Sequence, residues 1–191
     1  MNTTKIIQAL TYMASKQPNG VIDTMKAYKL LWLADRYHLR HYTRTVTGDD
    51  YFALPYGPVP SDAKNLVDGH PTIKATEAGM FGNYMEVIPS HQLRAKRQAD
   101  LDVFSKTDID AMDIILANYG NKSAVELSRL SHSFPEWKQY ETQLTDATKK
   151  NGYKIDKDLF YVNMPDSTGL FVDDPEKLEF LKEMFHQYQE S

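Results

Sequence analysis

The sequence predicts an α+β fold that is mainly α, with a helical core around a central apolar helix and a small antiparallel β-sheet or hairpin. Three observations predict it. Between Asp23 and Tyr42, the centre Ala27-Tyr28-Lys29-Leu30-Leu31-Trp32-Leu33-Ala34 is apolar nearly all round, as in a helix surrounded by others. Ser105 with Asp108, Ser123 with Glu126 and Ser133 with Glu136 each set a hydroxyl just ahead of a carboxylate at the spacing that caps a helix start. Tyr84–Ile88 and Leu93–Arg97 flank Pro89-Ser90-His91 as the two arms of a hairpin would.

In chain order, Ile6, Ala9, Leu10, Met13 and Ala14 form one stripe of a first helix, which Gln17-Pro18-Asn19-Gly20 ends. Asp23 caps the central helix, which runs to about Tyr42. Thr47-Gly48-Asp49-Asp50 reads as a turn and Tyr51–Leu54 as a short strand. Pro55-Tyr56-Gly57-Pro58-Val59-Pro60 then reads as a rigid connection, because proline fixes φ. A short helix follows with Ala63, Leu66 and Val67 on one side and Gly69 just past its end. Residues 68–83, rich in Gly and Thr, read as a loop. The helix opened by Ser105 is expected to end at Gly120, and Pro135 fits the first turn of the helix assigned to Ser133. Beyond the polar stretch 145–152, Leu159–Asn163 is a candidate strand. Asp174-Pro175 starts a last helix with Leu178, Leu181, Phe185 and Tyr188 on one face. Residues 1–191 are expected to share one core.

Composition narrows the function classes. The 191 residues are 41% hydrophobic and 25% charged, which suits a packed core and argues against wholesale disorder. Cysteine is absent, so a thiol nucleophile, a disulfide scaffold and a Cys-ligated metal are excluded. A net charge of −4 speaks against non-specific nucleic-acid coating. The N-terminus lacks the apolar core of a signal peptide, and no apolar run is long enough to span a bilayer. A cytoplasmic protein is the expectation.

Candidate chemistry concentrates on the central helix. Asp35 falls on its apolar side and needs a partner, since an unpaired buried carboxylate is costly; an Asp–His or Asp–backbone network fixing the following loop would supply one. His38 shares that side, while His41 points elsewhere. A metal-dependent hydrolase built from Asp35, His38 and Asp49 is a conceivable alternative, but the helical His pair lacks H-E-x-x-H, so neither metal nor cofactor is expected. On the opposite side Lys26, Lys29, Leu33, Arg36 and Arg40 follow the seam spacing of a helix that meets another element. A leucine ringed by basic residues reads as a partner-binding anchor with an electrostatic rim, and Leu33 is then expected to be exposed. The sequence has no G-x-G-x-x-G, P-loop or G-x-S-x-G, and no catalytic residue is assigned.

Several of these residues together resemble the Panacea antitoxin domain, also called SocA-like or phage-associated GepA-like. The resemblance rests on Lys29-Leu30-Leu31-Trp32-Leu33-Ala34-Asp35, His38-Leu39, Thr47-Gly48-Asp49, Ala53 and Tyr56-Gly57-Pro58-Val59-Pro60-Ser61. Its second block is Ser105-Lys106-Thr107-Asp108, Leu127-Ser128, and His132 followed by Trp137. It spans about 5–140 and leaves 145–191 as a C-terminal extension expected to pack on it. The resemblance implies an antitoxin of a bacterial or phage toxin–antitoxin system, in phage defence or related roles, that neutralises a co-encoded toxin by direct protein–protein binding. The SocA branch implies an alternative, a proteolytic adaptor that delivers the toxin to a AAA+ protease. Some relatives carry a fused helix-turn-helix; this chain starts almost at the domain's first helix, so none is expected. Trp32, Asp35, His38, Gly48, Tyr56, Gly57, Pro58, Val59, His132 and Trp137 are then family-motif residues, expected to be mainly structural.

Overall fold

The computed structural model describes residues 2–146 and 152–189. Helix α1 (Thr3–Ser15) and strand β1 (Val21–Asp23) lead into the long helix α2 (Thr24–Tyr42). Asp23 caps α2 as its position predicts, its carboxylate accepting the Lys26 N–H at 3.0 Å. Thr43, in the left-handed conformation, closes it. The centre of α2 is buried on every side, and Trp32 meets Phe134 edge-on with ring centroids 4.8 Å apart.

Strands β2 (Tyr51–Leu54) and β3 (Gly57–Pro60) follow, then α3 (Ser61–Asp68), closed by Gly69 at φ +63°. Helix α4 (Ala75–Tyr84), strands β4 (Met85–Ile88) and β5 (Gln92–Ala95), α5 (Lys106–Tyr119), α6 (Ala124–Ser131) and two single turns, α7 (Pro135–Lys138) and α8 (Glu141–Leu144), come next. A two-residue strand β6 (Tyr153–Lys154), the 3-10 turn Lys157–Tyr161 and α9 (Pro175–Gln189) complete the described chain. The strands form two small antiparallel sheets, ordered β1-β5-β4 and β3-β2-β6. This is the mainly-α α+β fold that the sequence predicts.

Several local readings are corrected. Residues 55–60 are not merely a connection: only Pro55 and Tyr56 turn, and Gly57–Pro60 pair with β2 from Leu54↔Gly57 to Tyr51↔Pro60. Both prolines of β3 fit because β3 is a sheet edge, where a missing N–H is harmless. The loop read over 68–83 contains α4. Gly79 and Gly82 hid it, each costing about 1 kcal/mol of helix propensity. It holds because Phe81 is buried and Glu77 accepts both the Lys74 N–H and the Thr3 hydroxyl. The candidate strand Leu159–Asn163 falls instead largely in the 3-10 turn, where the Asp156 carboxylate accepts the Asp158 N–H at 2.9 Å. Ser133 and Glu136 do not form a capping box. The Ser133 hydroxyl donates back to the Leu130 carbonyl, and Glu136 is fully buried against Arg36. On α9, Leu178 and Phe185 are buried and Leu181 is partly so, but Tyr188 is exposed. Of the polar stretch 145–152, residues 147–151 lie outside the described residues.

Candidate functional site

The β2–β3 hairpin is held along its length by side chains from elsewhere in the chain. At its root, the Asp35 carboxylate accepts the Thr47 N–H at 2.9 Å, the Thr47 hydroxyl and the Tyr51 hydroxyl at 2.8 Å. The network that Asp35 needs is therefore one backbone N–H and two hydroxyls, which fix the following loop, and His38 has no part in it. Burial pushes the Asp35 carboxyl above its usual range, and the three donors pull it back. From the turn that enters β2, Asp49 receives the Asp62 and Ala63 N–H groups, both at 2.9 Å, and so ties the hairpin's entry to the first turn of α3. Burial nonetheless raises Asp49 to about 7 against those two bonds.

The tip is clamped from behind. The Trp137 indole N–H donates to the Leu54 carbonyl at 2.8 Å, the Ser128 hydroxyl to the Tyr56 carbonyl at 2.9 Å, and the Lys29 amine to the Pro58 carbonyl at 2.7 Å. His132 stacks flat on Trp137, centroids 3.7 Å apart, and meets the Pro55 carbonyl. Gly57 has φ +101°, and a Cβ there would run into the Ser131 hydroxyl and the Lys29 amine. Widely separated residues thus converge on the backbone of one turn. Burial lowers Lys29 to about 7, so its amine is half-neutral near that pH.

One side chain of the turn escapes. Tyr56 is 67% exposed, while its own carbonyl is clamped. Beside it lies a cleft of about 410 Å³. Met25, Tyr28, Leu54 and Val59 line it, together with Ser90 and His91 of the β4–β5 turn. Both turn residues have positive φ, +67° and +56°, a conformation non-glycine residues rarely hold. The Tyr28 side chain is 7% exposed and its hydroxyl has no hydrogen-bond partner.

The basic stripe on α2 is corrected most sharply. Leu33 is fully buried, as are Lys29, Arg36 and Arg40; Lys26 alone is partly exposed, with its amine on the Gln17 side chain and the Gly120 carbonyl. Arg36 pairs with Glu136 at 2.6 Å, donates to the Val162 carbonyl and lies over the Phe134 and Phe171 rings. Arg40 donates to the Phe160 and Val162 carbonyls, to Asn163 and to Asp173. The stripe meets other elements, as its spacing suggested, but they belong to the chain itself: Lys29 reaches β3, and Arg36 and Arg40 reach α7 and the C-terminal segment. Its cations are interior cross-links and not an exposed rim.

The remaining residues sort by partner. His38 is buried between the Arg44 carbonyl at 2.7 Å, the Thr107 hydroxyl at 3.0 Å and Asp108 at 3.2 Å. Burial raises the Asp108 carboxyl, but hydrogen bonds from Arg44 and Lys5 and from the Ser105 N–H outweigh it and hold it at about 2. His41 stacks on Tyr37. Asp35, His38 and Asp49 each serve a different local structure, and among the described residues no group of His, Asp or Glu could hold a metal ion. Gly48 takes φ +74° in the turn before β2.

Set against protein families, residues 28–138 match the model described as antitoxin SocA-like, Panacea domain. The chain belongs to the Panacea family. That match runs from within α2 to the end of α7 and so contains the hairpin and its clamps, while Asp23, Thr24 and Met25 of the cleft lie just before it. The Panacea family is an antitoxin-like domain family and not a known enzyme family. No curated protein and no solved structure matches the chain significantly. Among the described residues, no helix is long and apolar enough to cross a membrane. Of the residues that carried the resemblance, Trp137 and Ser128 bond the backbone of the hairpin, and Asp35 holds its root through Thr47 and the Tyr51 hydroxyl. Tyr56, another of those residues, has its ring left outside. Its position between Pro55 and Gly57 was the available signal, since a two-residue turn cannot cover its own side chain.

Proposed function

We propose that this chain is an antitoxin that neutralises a co-encoded toxin in the cytoplasm by direct protein–protein binding, with the hairpin tip and the adjoining cleft as its contact surface. The observation that carries the reading is the exposed Tyr56 ring on a turn whose backbone is fixed by three hydrogen bonds from behind. A rigidly presented aromatic loses little entropy on binding, and buried aromatics dominate interface energetics. Membership of an antitoxin-like family supplies the class of partner.

The test begins with the open reading frame beside this one. Its product is expected to arrest growth when expressed alone and to be harmless with this chain co-expressed, the two purifying as a stable complex. Growth arrest that this chain does not relieve contradicts the reading. Relief that disappears in cells lacking AAA+ proteases, with toxin levels restored, would assign the chain to the adaptor branch.

A further inference from the structure

The turn between β4 and β5 holds a strained backbone for which the fold gives no use of the side chains. Pro89, Ser90 and His91 join the paired residues Ile88 and Gln92, and Ser90 and His91 take φ +67° and +56° in succession. Glycine or asparagine normally fills such positions, because a Cβ crowds the backbone there. The backbone itself is used: the His91 carbonyl accepts the Thr24 N–H at 2.9 Å, at the start of α2. That bond asks nothing of an imidazole, and glycine would make it without strain. Both side chains are exposed, and among the described residues neither makes a hydrogen bond, ion pair or ring contact. Strained non-glycine residues of this kind gather where a protein holds a ligand.

His91 and Tyr56 line the same cleft. The charges around it are already compensated. Lys64 pairs with Asp68, Asp23 caps α2 through the Lys26 N–H, and the Lys29 amine is held by the Pro58 carbonyl. The Tyr28 hydroxyl is unbonded, but burial first, then the carboxylates of Asp68 and Asp49, raises it above the ordinary tyrosine range, so it stays protonated and uncharged. What the lining leaves open is apolar, on Met25, Leu54, Val59 and the Tyr56 ring. A charged side chain entering here would give up its water and meet no free counter-charge.

We propose that the protein partner contacts both turns at once, with an uncharged, apolar side chain in the cleft they share and with His91 as a second, specificity-determining contact beside Tyr56. This rests on the direct-binding reading above and adds the β4–β5 turn and the chemistry of the partner's anchor. Backbone strain at His91 is then the cost of presenting its side chain to the partner.

The experiment uses the full chain and the toxin identified by co-expression. His91→Gly removes the side chain together with the strain, whereas His91→Ala removes the side chain and keeps the strain. Both are expected to weaken toxin binding about tenfold, and His91→Gly to unfold at a higher midpoint than His91→Ala. Full binding by either variant, or equal midpoints, overturns the proposal. Met25→Glu and Met25→Lys place each sign of charge at a partly exposed position of the cleft, in the first turn of α2. Against an uncharged anchor both are expected to weaken binding by at least about tenfold. Binding that either charge leaves unchanged or tightens overturns the proposal, a tightening selecting an anchor of the opposite sign. Self-association of the toxin-free chain that Met25→Glu abolishes would assign the cleft to a second copy and overturn it as well. If the unmodified chain binds and neutralises the toxin while these results fail, only the two-turn assignment falls. If the unmodified chain does not bind, the direct-binding reading falls and takes this one with it.

Discussion

The β2–β3 turn and the basic face of α2 invert what their sequences suggest. Pro55-Tyr56-Gly57-Pro58 reads as rigid punctuation, yet it presents an aromatic ring to solvent. Lys29, Leu33, Arg36 and Arg40 read as a surface stripe, yet all four are fully buried. The difference lies in who satisfies the polar groups. Carbonyls and carboxylates from residues 136–173 take up the two arginines, so charge that looks solvated is cross-linking. At the turn the backbone is satisfied by clamps, and the side chain needs nothing from the fold. Polarity along one helix does not say which side is wet. The location of the acceptors does.

The largest effects are expected in the interior. Trp32→Ala is expected to cost about 3–5 kcal/mol, as for other buried aromatics, because the Phe134 edge and the surrounding helices lose their contact together. Chemical denaturation measures it, and a midpoint equal to that of the parent would place Trp32 outside the core. Glu136→Ala is expected to cost a similar 3–5 kcal/mol, since it leaves Arg36 charged and unpaired in the interior. The double replacement Arg36→Met/Glu136→Leu should be much milder, because it removes both charges at once. A double variant as unstable as the single one would mean that Arg36 is held chiefly by the Val162 carbonyl and the two phenylalanine rings.

A subtler test exploits Lys29. Its folded value of about 7 lies below the ordinary lysine value of 10.5, so between those limits the unfolded chain binds more protons than the native one. Stability contributed by this group therefore rises with pH across about 7 to 10.5 and is level beyond both ends. Lys29→Met should flatten that part of the profile, read as the difference in unfolding free energy between the two proteins. A parallel pair of profiles would show that the amine is not desolvated under the hairpin. Gly57→Val is expected to destabilise by more than 1 kcal/mol, since φ +101° is closed to a β-branched residue and its Cβ would meet Ser131 and Lys29.

Much of the fold was legible because its signals are local. Asp23, Ser105 and Ser123 cap the helices that their spacing marks, and the apolar centre of α2 sits in the core. What was not legible depends on distant partners. Nothing near Arg40 in sequence announces that Phe160, Val162, Asn163 and Asp173 will surround its guanidinium. Helix α4 was masked by two glycines whose cost tertiary packing on α1 offsets. The site was half legible. Its motif residues could be named from sequence, but their shared task could not, because Trp137, Ser128 and Lys29 come together only when α2, α6 and α7 pack against the hairpin.

The partner is expected to meet the hairpin tip and not the α2 stripe. The most direct test compares the toxin affinity and unfolding midpoint of Tyr56→Ala with those of Leu33→Ala. Tyr56→Ala is expected to weaken binding by at least about thirtyfold, the equivalent of a 2 kcal/mol anchor, with the midpoint unchanged. Leu33→Ala is expected to lower the midpoint while the folded protein binds as before. Undiminished binding by Tyr56→Ala, or a stable Leu33→Ala that no longer binds, would contradict the account.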